Sequence, residues 1–391
     1  MKIAYFFHRN AANPLVQSGR PASILAGFRD LGVGIEPVFP LRSRPSPKWV
    51  VKKMFYRLAG RHYRWDREPE HLAYFADEFH KKTCGKDVDI IFSPGSEVIS
   101  WLQTEKPITF CADATFANMV DYYEDFTSIS HEYFQQGHRQ EAAALSRASL
   151  AVYPSEWAAR SAIDFYGAAP DRVMVIPFGA NLGRKNRREQ VWKWIEARPR
   201  NCLRFLFVGR HWRRKGGEMV VLTAKRLMHL GYRVELDVVG CRVPRHHRDL
   251  PWIRQHGVIS SRTPTEINKF SQLFAGVHFV FVPSRAEAYG MIFAEGNAFG
   301  LPVVTTATGG IPSIVRDNWN GLLFPLAADA ADYAEAVVRS FSDRGRYEQL
   351  CRQAFQEFEQ RLNWRTFCNQ YLERASECCR APAGNSLVKT Y

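Results

Sequence analysis

The chain has 391 residues, long for one core and ample for two domains of roughly 150–200 residues each. Hydrophobic residues make up 46% and charged residues 24%, a soluble globular balance, and no run approaches the ~20 apolar residues of a membrane span. A formal net charge of +14 calls for a negatively charged partner: an anionic bilayer, a phosphate-bearing substrate or nucleic acid.

The start, MKIAYFFHRN, meets charge too soon for a signal peptide and reads as a first buried strand over residues 2–7, so a cytoplasmic location is expected. A loop leads to a helix over 21–32, opened by Pro21 and closed by Gly32. A strand over 34–40 follows. Between Leu41 and Trp65 lie eight basic residues (Arg42, Arg44, Lys48, Lys52, Lys53, Arg57, Arg61, Arg64) and no acid. A helix over 68–83, strands over 87–95 and 106–113, one long helix over 121–149, a strand over 150–155 and a helix over 156–167 come next. The segment 172–181 ends this half. The basic, Trp-rich stretch 182–201 reads as linker and rim.

The alternation then restarts. Strands over 202–210, 232–240, 277–284 and 301–307 alternate with helices over 217–231, 264–276 and 290–300, the second capped by Thr263 or Thr265. Residues 328–376 are largely helical, and 381–391 read as a frayed tail. Strands alternating with helices form parallel sheets buried on both faces. The expected class is therefore α/β, two doubly wound parallel-sheet domains at 1–185 and 200–365. Such sheets bind ligands at the carboxyl ends of their strands, so a cleft between facing domains is the expected site. The eight cysteines lack CxxC spacing, which favours buried reduced thiols over a zinc site.

Two stretches carry chemistry. In VFVPSRAEAYGMIFAEGNAFG, Glu287 falls at a strand's carboxyl end, and Gly290 would let the backbone approach a ligand. The amides of Tyr289, Gly290 and Met291 lie at a helix start that favours anions, with Glu295 one turn further on. Two carboxylates suit the hydroxyls of a ribose or hexose. The alternative is a solvated Glu287 and a Glu295 that completes the helix cap. In FLFVGRHWRRKGGEM, Gly209 closes a strand, and Arg210 and Lys215 flank a loop ending in Gly216-Gly217: a cradle for a diphosphate. Arg213 and Arg214 read as surface charges. Neither the P-loop spacing nor GxGxxG after the first strand is present.

FVGR…KGG, PSRAEAYGMIFAEGNAFGLPVVTTATGGIPSIV…NGLLFP, VYPSEWAARSAIDFYG…VIPFGAN and SGRPASILAGFRDLG together resemble the retaining GT-B glycosyltransferases of family 4, the glycosyl transferases group 1. The resemblance spans nearly the whole chain and is strongest over residues 150–325. It implies two Rossmann-like domains, with a C-terminal helix of about 366–385 crossing back to the first. It implies that Arg210 and Lys215 bind the diphosphate of a nucleotide-sugar donor, that Glu295 holds the ribose and that Glu287 touches the transferred sugar. The amides of Tyr289, Gly290 and Met291 would line the phosphate and sugar, as would the Ser18-Gly19 loop and Gly209. The base would lie against Val258 and Ile259 in HGVISS, with Gly309 and Gly310 flanking the pocket. No metal and no cofactor are expected, because cations and helix dipoles stabilise the leaving group. The reaction would retain configuration by front-face attack, with Glu287 a positioning group.

Many relatives carry a histidine where this chain has Asp113, with Asp121 further on. Asp113 either orients the acceptor hydroxyl or donor sugar, or caps the helix after DAT. His131 and His138 read as surface or packing residues. On a helix over 47–61, Val50, Val51, Met54, Phe55 and Leu58 gather on one side, with Lys52, Lys53 and Arg57 on the other. This suits an interfacial helix on an anionic membrane; the alternative packs the apolar side on its own domain. No nucleic-acid motif accompanies the charge. The expected function is retaining hexosyl transfer to a glycan or lipid-linked acceptor in surface polysaccharide synthesis, at the inner membrane face. Its rivals are a phosphorylase or epimerase of the same fold, and a non-catalytic basic scaffold for membrane or anionic partners.

Overall fold

A computed structural model describes residues 1–42, 45–182, 186–259 and 263–380. Arg44, part of the linker (183–185), Ser260-Ser261 of HGVISS and the tail 381–391 lie outside the described residues. The described chain divides into two compact units: Met1–Ile176 with residues 367–380, and Pro177–Thr366.

In chain order, unit 1 holds β1 (Lys2–Phe6), α1 (Arg20–Asp30), β2 (Gly34–Val38), α2 (Pro47–Leu58), α3 (Pro69–Thr83), β3 (Ile90–Ser93), β4 (Ile108–Cys111), α4 (Phe116–Met119), α5 (His131–Arg147), β5 (Leu150–Tyr153), α6 (Glu156–Arg160) and β6 (Val173–Val175). Unit 2 holds α7 (Arg188–Ala197), β7 (Leu203–Val208), α8 (Gly217–His229), β8 (Val234–Val239), α9 (Arg245–Arg248), β9 (Ile253–Gly257), α10 (Pro264–Gly276), β10 (Phe279–Phe281), α11 (Met291–Asn297), β11 (Val303–Thr306), β12 (Gly321–Phe324), α12 (Ala330–Ser342) and α13 (Arg344–Gln360). α14 (Trp364–Arg380) closes the series. From Phe367 on it packs in unit 1, where the Tyr371 hydroxyl lies 2.6 Å from Thr109 Oγ1 and the ring meets Phe28 and Phe92.

Both sheets are parallel. The strand orders are β2-β1-β3-β4-β5-β6 and β12-β11-β10-β7-β8-β9. In the first sheet the order reverses between β1 and β3, in the second between β7 and β10. Such reversals open a crevice at the strands' carboxyl ends, because the flanking crossovers leave in opposite directions. β3, β4 and β5 are buried throughout and read as largely apolar runs because helices cover both faces; β8 is equally buried but carries Glu235 and Asp237. Tyr5, Phe6, Phe28, Phe92 and Phe110 are fully buried in unit 1, each contributing roughly 1.5–3 kcal/mol of burial free energy.

Several expectations need correction. The long helix over 121–149 begins only at His131, where the Ser130 side chain accepts from Tyr133 N–H at 3.2 Å. Positive φ at Asp121 (54°) and Ser128 (51°) breaks the preceding stretch. The linker at 182–201 contains α7, which buries Val191 and Ile195 in unit 2. Buried Arg198 follows, donating to Gly300 O, Phe299 O and the Tyr347 hydroxyl at 3.0, 2.9 and 3.0 Å. The polar stretch before α10 hides β9, an edge strand held sideways. Arg254 grips Asp237 of β8 through two bonds of 2.9 Å and Glu235 through a third. NGLLFP is likewise an edge strand, β12. Of the two proposed caps of α10, Thr263 is the one, accepting from Glu266 N–H. All eight cysteines are free thiols, but only Cys111, Cys202, Cys351 and Cys368 are buried, while Cys84 and Cys379 are exposed; among the described residues no helix is long and apolar enough to cross a membrane.

Candidate active site

Three neighbouring strand ends of unit 2 meet at Glu287. Past β7, five turn residues wind from Trp212 to Gly216, tied by Lys215 N–H to His211 O (3.0 Å) and Gly216 N–H to Arg213 O (3.1 Å). Buried Trp212 holds the turn. Its ring lies where a Gly217 side chain would begin, and its indole N–H donates to Glu218 Oε1 at 2.9 Å. Gly216 starts α8 at φ +76°, and a Cβ there would lie 2.0 Å from Pro283 O, so only glycine fits. The wound turn sends Lys215 back across Gly209, whose missing Cβ makes room for the lysine stem.

Lys215 Nζ donates to Glu287 Oε2, with both side chains nine-tenths buried. Arg214 Nη1 lies 3.9 Å from the same oxygen and donates to Ala286 O at 2.8 Å. Arg214 is thus no idle surface charge. Its carbonyl also accepts from Arg285 N–H at 2.8 Å, which stitches the loops after β7 and β10 together. From the loop after β11, Gly310 N–H donates to Glu287 O at 3.2 Å. Ser284 Oγ lies 3.5 Å from Glu287 Oε2. Glu287 is therefore buried and ion-paired rather than solvated. Two cations on one carboxylate carry a net charge of +1 beside the N-terminus of α8, whose dipole favours anions.

Gly290 caps α11 at φ +96°, and its absent Cβ makes space for the Phe293 ring. Phe293 N–H closes the first turn onto Gly290 O at 2.9 Å, whereas an amide at the first helical position, here Met291, has no intrahelical acceptor. The Tyr289 side chain is taken up by packing: its hydroxyl donates to Phe178 O at 2.7 Å and its ring meets Phe178 edge-on. That leaves only its main chain for the role expected of it. Glu295 joins the Asn181 main chain, and burial pushes its carboxyl up to about 7. The structure thus brings Glu287 to Lys215 and Arg214 and gives Glu295 a different partner. Arg210 is exposed at the end of β7. Val258, 70% exposed, and Ile259 follow β9, two strands from β7.

In unit 1, Ser18 and Gly19 form the left-handed lead into α1 (φ 56° and 83°), at the reversal between β1 and β3. The next residue, Arg20, is the one overlooked in the sequence. It is buried and donates to Gln17 Oε1 (2.7 Å) and Pro94 O (2.9 Å), joining the loops after β1 and β3, and its Nη1 lies 3.6 Å from Asp113 Oδ1. An arginine directly after a left-handed glycine at a helix start was the available signal. Asp113 does not cap the following helix. Thr115 does, in a reciprocal box with Asn118, because it alone sits directly before Phe116. Asp113 remains exposed on the strand-end surface. His138 packs against Phe116 and Phe134 and bonds the Tyr166 hydroxyl, with burial lowering its pKa; His131 is exposed and near Gln135.

Residues 202–343 match the family described as Glycosyl transferases group 1. A D-inositol 3-phosphate glycosyltransferase of Thermobifida fusca is 27% identical over 220 residues, 52% of this chain and 50% of that protein. The chain therefore matches about half the length of such curated relatives. Sucrose-phosphate synthase from Thermosynechococcus elongatus superposes with a TM-score of 0.70 over 98% of this chain and 100% of its own, at 17% identity. Anabaena HepE, solved in complex with UDP-glucose, superposes with a TM-score of 0.60 over 96% and 100%, at 16% identity.

Proposed function

We propose that this chain, a protein of GT-B fold whose residues 202–343 carry the glycosyl transferases group 1 domain, transfers a sugar from a nucleotide-diphosphate donor. The observation that carries the reading is the cationic cluster of Arg214 and Lys215 on Glu287, at the strand reversal between β7 and β10. A diphosphate would take up the cluster's surplus charge through Lys215, with exposed Arg210 closing over it. HepE, a structural neighbour, is a UDP-glucose binder, which supports a donor of that class.

In this reading Glu295 holds the ribose as a carboxylate and Glu287 accepts hydroxyls of a hexose. The amides of Tyr289, Gly290 and Met291 line the phosphate, Val258 and Ile259 flank the base, and Ser18-Gly19 bears on the diphosphate. As the sugar–phosphate bond breaks, charge grows on the leaving oxygens. Lys215 and Arg210, already cationic, stabilise it without a metal. A leaving phosphate that draws the proton from an acceptor hydroxyl on the same face would retain configuration. Asp113, carried by Arg20, would orient that hydroxyl. The acceptor we favour is a glycan or lipid-linked sugar of surface polysaccharide synthesis, met at the cytoplasmic membrane face through residues 47–61. The names of the curated relatives favour a second reading, a small phosphorylated polyol such as inositol 3-phosphate.

The test is a thermal-shift panel of nucleoside diphosphates and their sugars, followed by product analysis with inositol 3-phosphate and lipid-linked glycans. Stabilisation by one donor family is the expected result. A chain that no nucleotide or nucleotide sugar stabilises is not a transferase of this kind, and the scaffold reading then stands.

A further inference from the structure

We propose that α2 is an amphipathic docking helix that lies in the surface of an anionic lipid bilayer, its outward face inserted among the acyl chains. This deepens the membrane placement proposed above, but it requires none of the donor chemistry. The residues Val50, Val51, Met54, Phe55 and Leu58 recur at the spacing of one helical face. They are 54%, 65%, 63%, 65% and 89% exposed, so that face is left uncovered by the described residues. Soluble helices turn such a stripe inward. α2 turns its polar and aromatic side inward instead.

The inner side is fastened at several points. Trp49 is buried and stacks on Trp65 at 5.6 Å. Lys52 pairs with Glu68 at 2.9 Å and with Glu132, Tyr56 donates to Glu132 Oε2 at 3.0 Å, and Lys48 pairs with Glu70. Rolling the apolar face inward would break all of these, so the stripe is held outward by the fold.

The charges around the stripe select the occupant. Lys53 and Arg57 border it on the helix, Arg61 follows its end and Arg42 precedes it; all four are exposed and have no carboxylate within ion-pair distance among the described residues. No acid occurs from Leu41 to Trp65. An apolar stripe with a cationic rim matches anionic headgroups over acyl chains. A second copy packed stripe to stripe would set these cations against their own equivalents. At about 1.5 Å per residue the helix is far too short to span, so it lies flat.

The test is sedimentation of the full chain with vesicles of pure phosphatidylcholine and of phosphatidylcholine–phosphatidylglycerol, two to one. The chain should pellet with the anionic vesicles, and added salt should release it. F55S with L58S should lower the association constant about tenfold or more, and K53Q or R57Q about fivefold each. None should shift the melting temperature, because these side chains are exposed. Equal binding to both vesicles, or unchanged binding by the double variant, overturns the proposal. So does a dimer in solution that F55S and L58S dissolve. Nucleotide-induced thermal shifts, measured on the same variants without lipid, should be unchanged, so failure here is distinguishable from failure of the transferase reading.

Discussion

Replacing Glu287 by glutamine tests the logic of the cluster directly. The Glu287 and Lys215 side chains are each 11% exposed, and Arg214 lies 3.9 Å from the same carboxylate oxygen. At about 4 Å and an effective dielectric near 20, each attraction is worth ~4 kcal/mol before desolvation is subtracted. Removing one partner of a buried pair costs about 3–5 kcal/mol, because the other is left uncompensated. Glutamine keeps a hydrogen-bond acceptor for Lys215, so ~2 kcal/mol is the expected loss, or a melting temperature lowered by about 4–8 °C for a unit of this size. The same change raises the local charge from +1 to +2. Binding of a nucleoside diphosphate should therefore hold or tighten. Turnover of the nucleotide sugar should fall by about tenfold or more, since hydroxyl bonds to a charged acceptor are lost. Melting curves, calorimetric titration with a nucleoside diphosphate and donor turnover measure the three effects. An unchanged melting temperature would show that the pair does not hold the loops together. A diphosphate affinity that falls in step with turnover would refute the charge argument.

Other predictions concern titration and backbone. The Glu295 carboxyl is pushed up to about 7 by burial, above its unfolded value near 4.5, so the fold favours its protonated form. Stability attributable to it is full below pH 4.5 and declines as pH rises through 7, while a carboxylate site for ribose fills over the same range. Nucleotide affinity should rise through pH 7, and Glu295→Gln should abolish that inflection; an identical profile in the variant removes Glu295 from the site. His278 is held neutral, its Nδ1 accepting from Arg204 N–H at 3.0 Å, and burial beside Arg198 lowers its pKa to about 3. Its contribution is present above pH 6.5 and is lost as pH falls toward 3, about 2 kcal/mol by pH 5. His278→Gln should flatten this acid limb in urea unfolding; an equally steep limb assigns the loss elsewhere. Gly216→Ala should cost about 2–4 kcal/mol, because a Cβ would lie 2.0 Å from Pro283 O. Gly231→Ala, at φ +87° with nothing within 4 Å, should cost only ~1–2 kcal/mol; equal losses by chemical denaturation would discount the steric argument.

The buried centres of both sheets were legible because a parallel strand covered on both faces is mostly apolar along its length. The same rule explains the misses. β9 reads IRQHG, and what keeps it in the sheet is Arg254 reaching across to Asp237 and Glu235, partners 17 and 19 residues away. A cross-strand ion pair leaves no periodicity in either segment. Buried Arg198 was read as linker charge, because its acceptors at Phe299 and Gly300 lie 101 and 102 residues on. In the turn before α8, the sequence offers three cations in a row, and nothing local distinguishes Arg213 from Arg214. Only the adjacency of β7 and β10 does so, by bringing Ala286 O within reach of Arg214.

The candidate site shows the same division between local and long-range information. Glu287 and Glu295 were paired because they stand eight positions apart around Tyr289-Gly290. Glu287, however, precedes the helix, whereas Glu295 rides on it, so helical spacing never related them. Their partners were chosen by topology: Lys215, 72 residues from Glu287, arrives because β7 and β10 adjoin at the strand reversal. In the proposed reading, the chain thereby holds its diphosphate site shut with its own carboxylate. A diphosphate entering there would exchange one anionic partner of Lys215 for another and would release Glu287 toward the hydroxyls of the attached sugar. Donor binding and sugar positioning are then a single rearrangement. Lys215→Gln should therefore impair sugar turnover even at donor concentrations that saturate the variant, whereas a lysine serving affinity alone would leave that saturated rate intact.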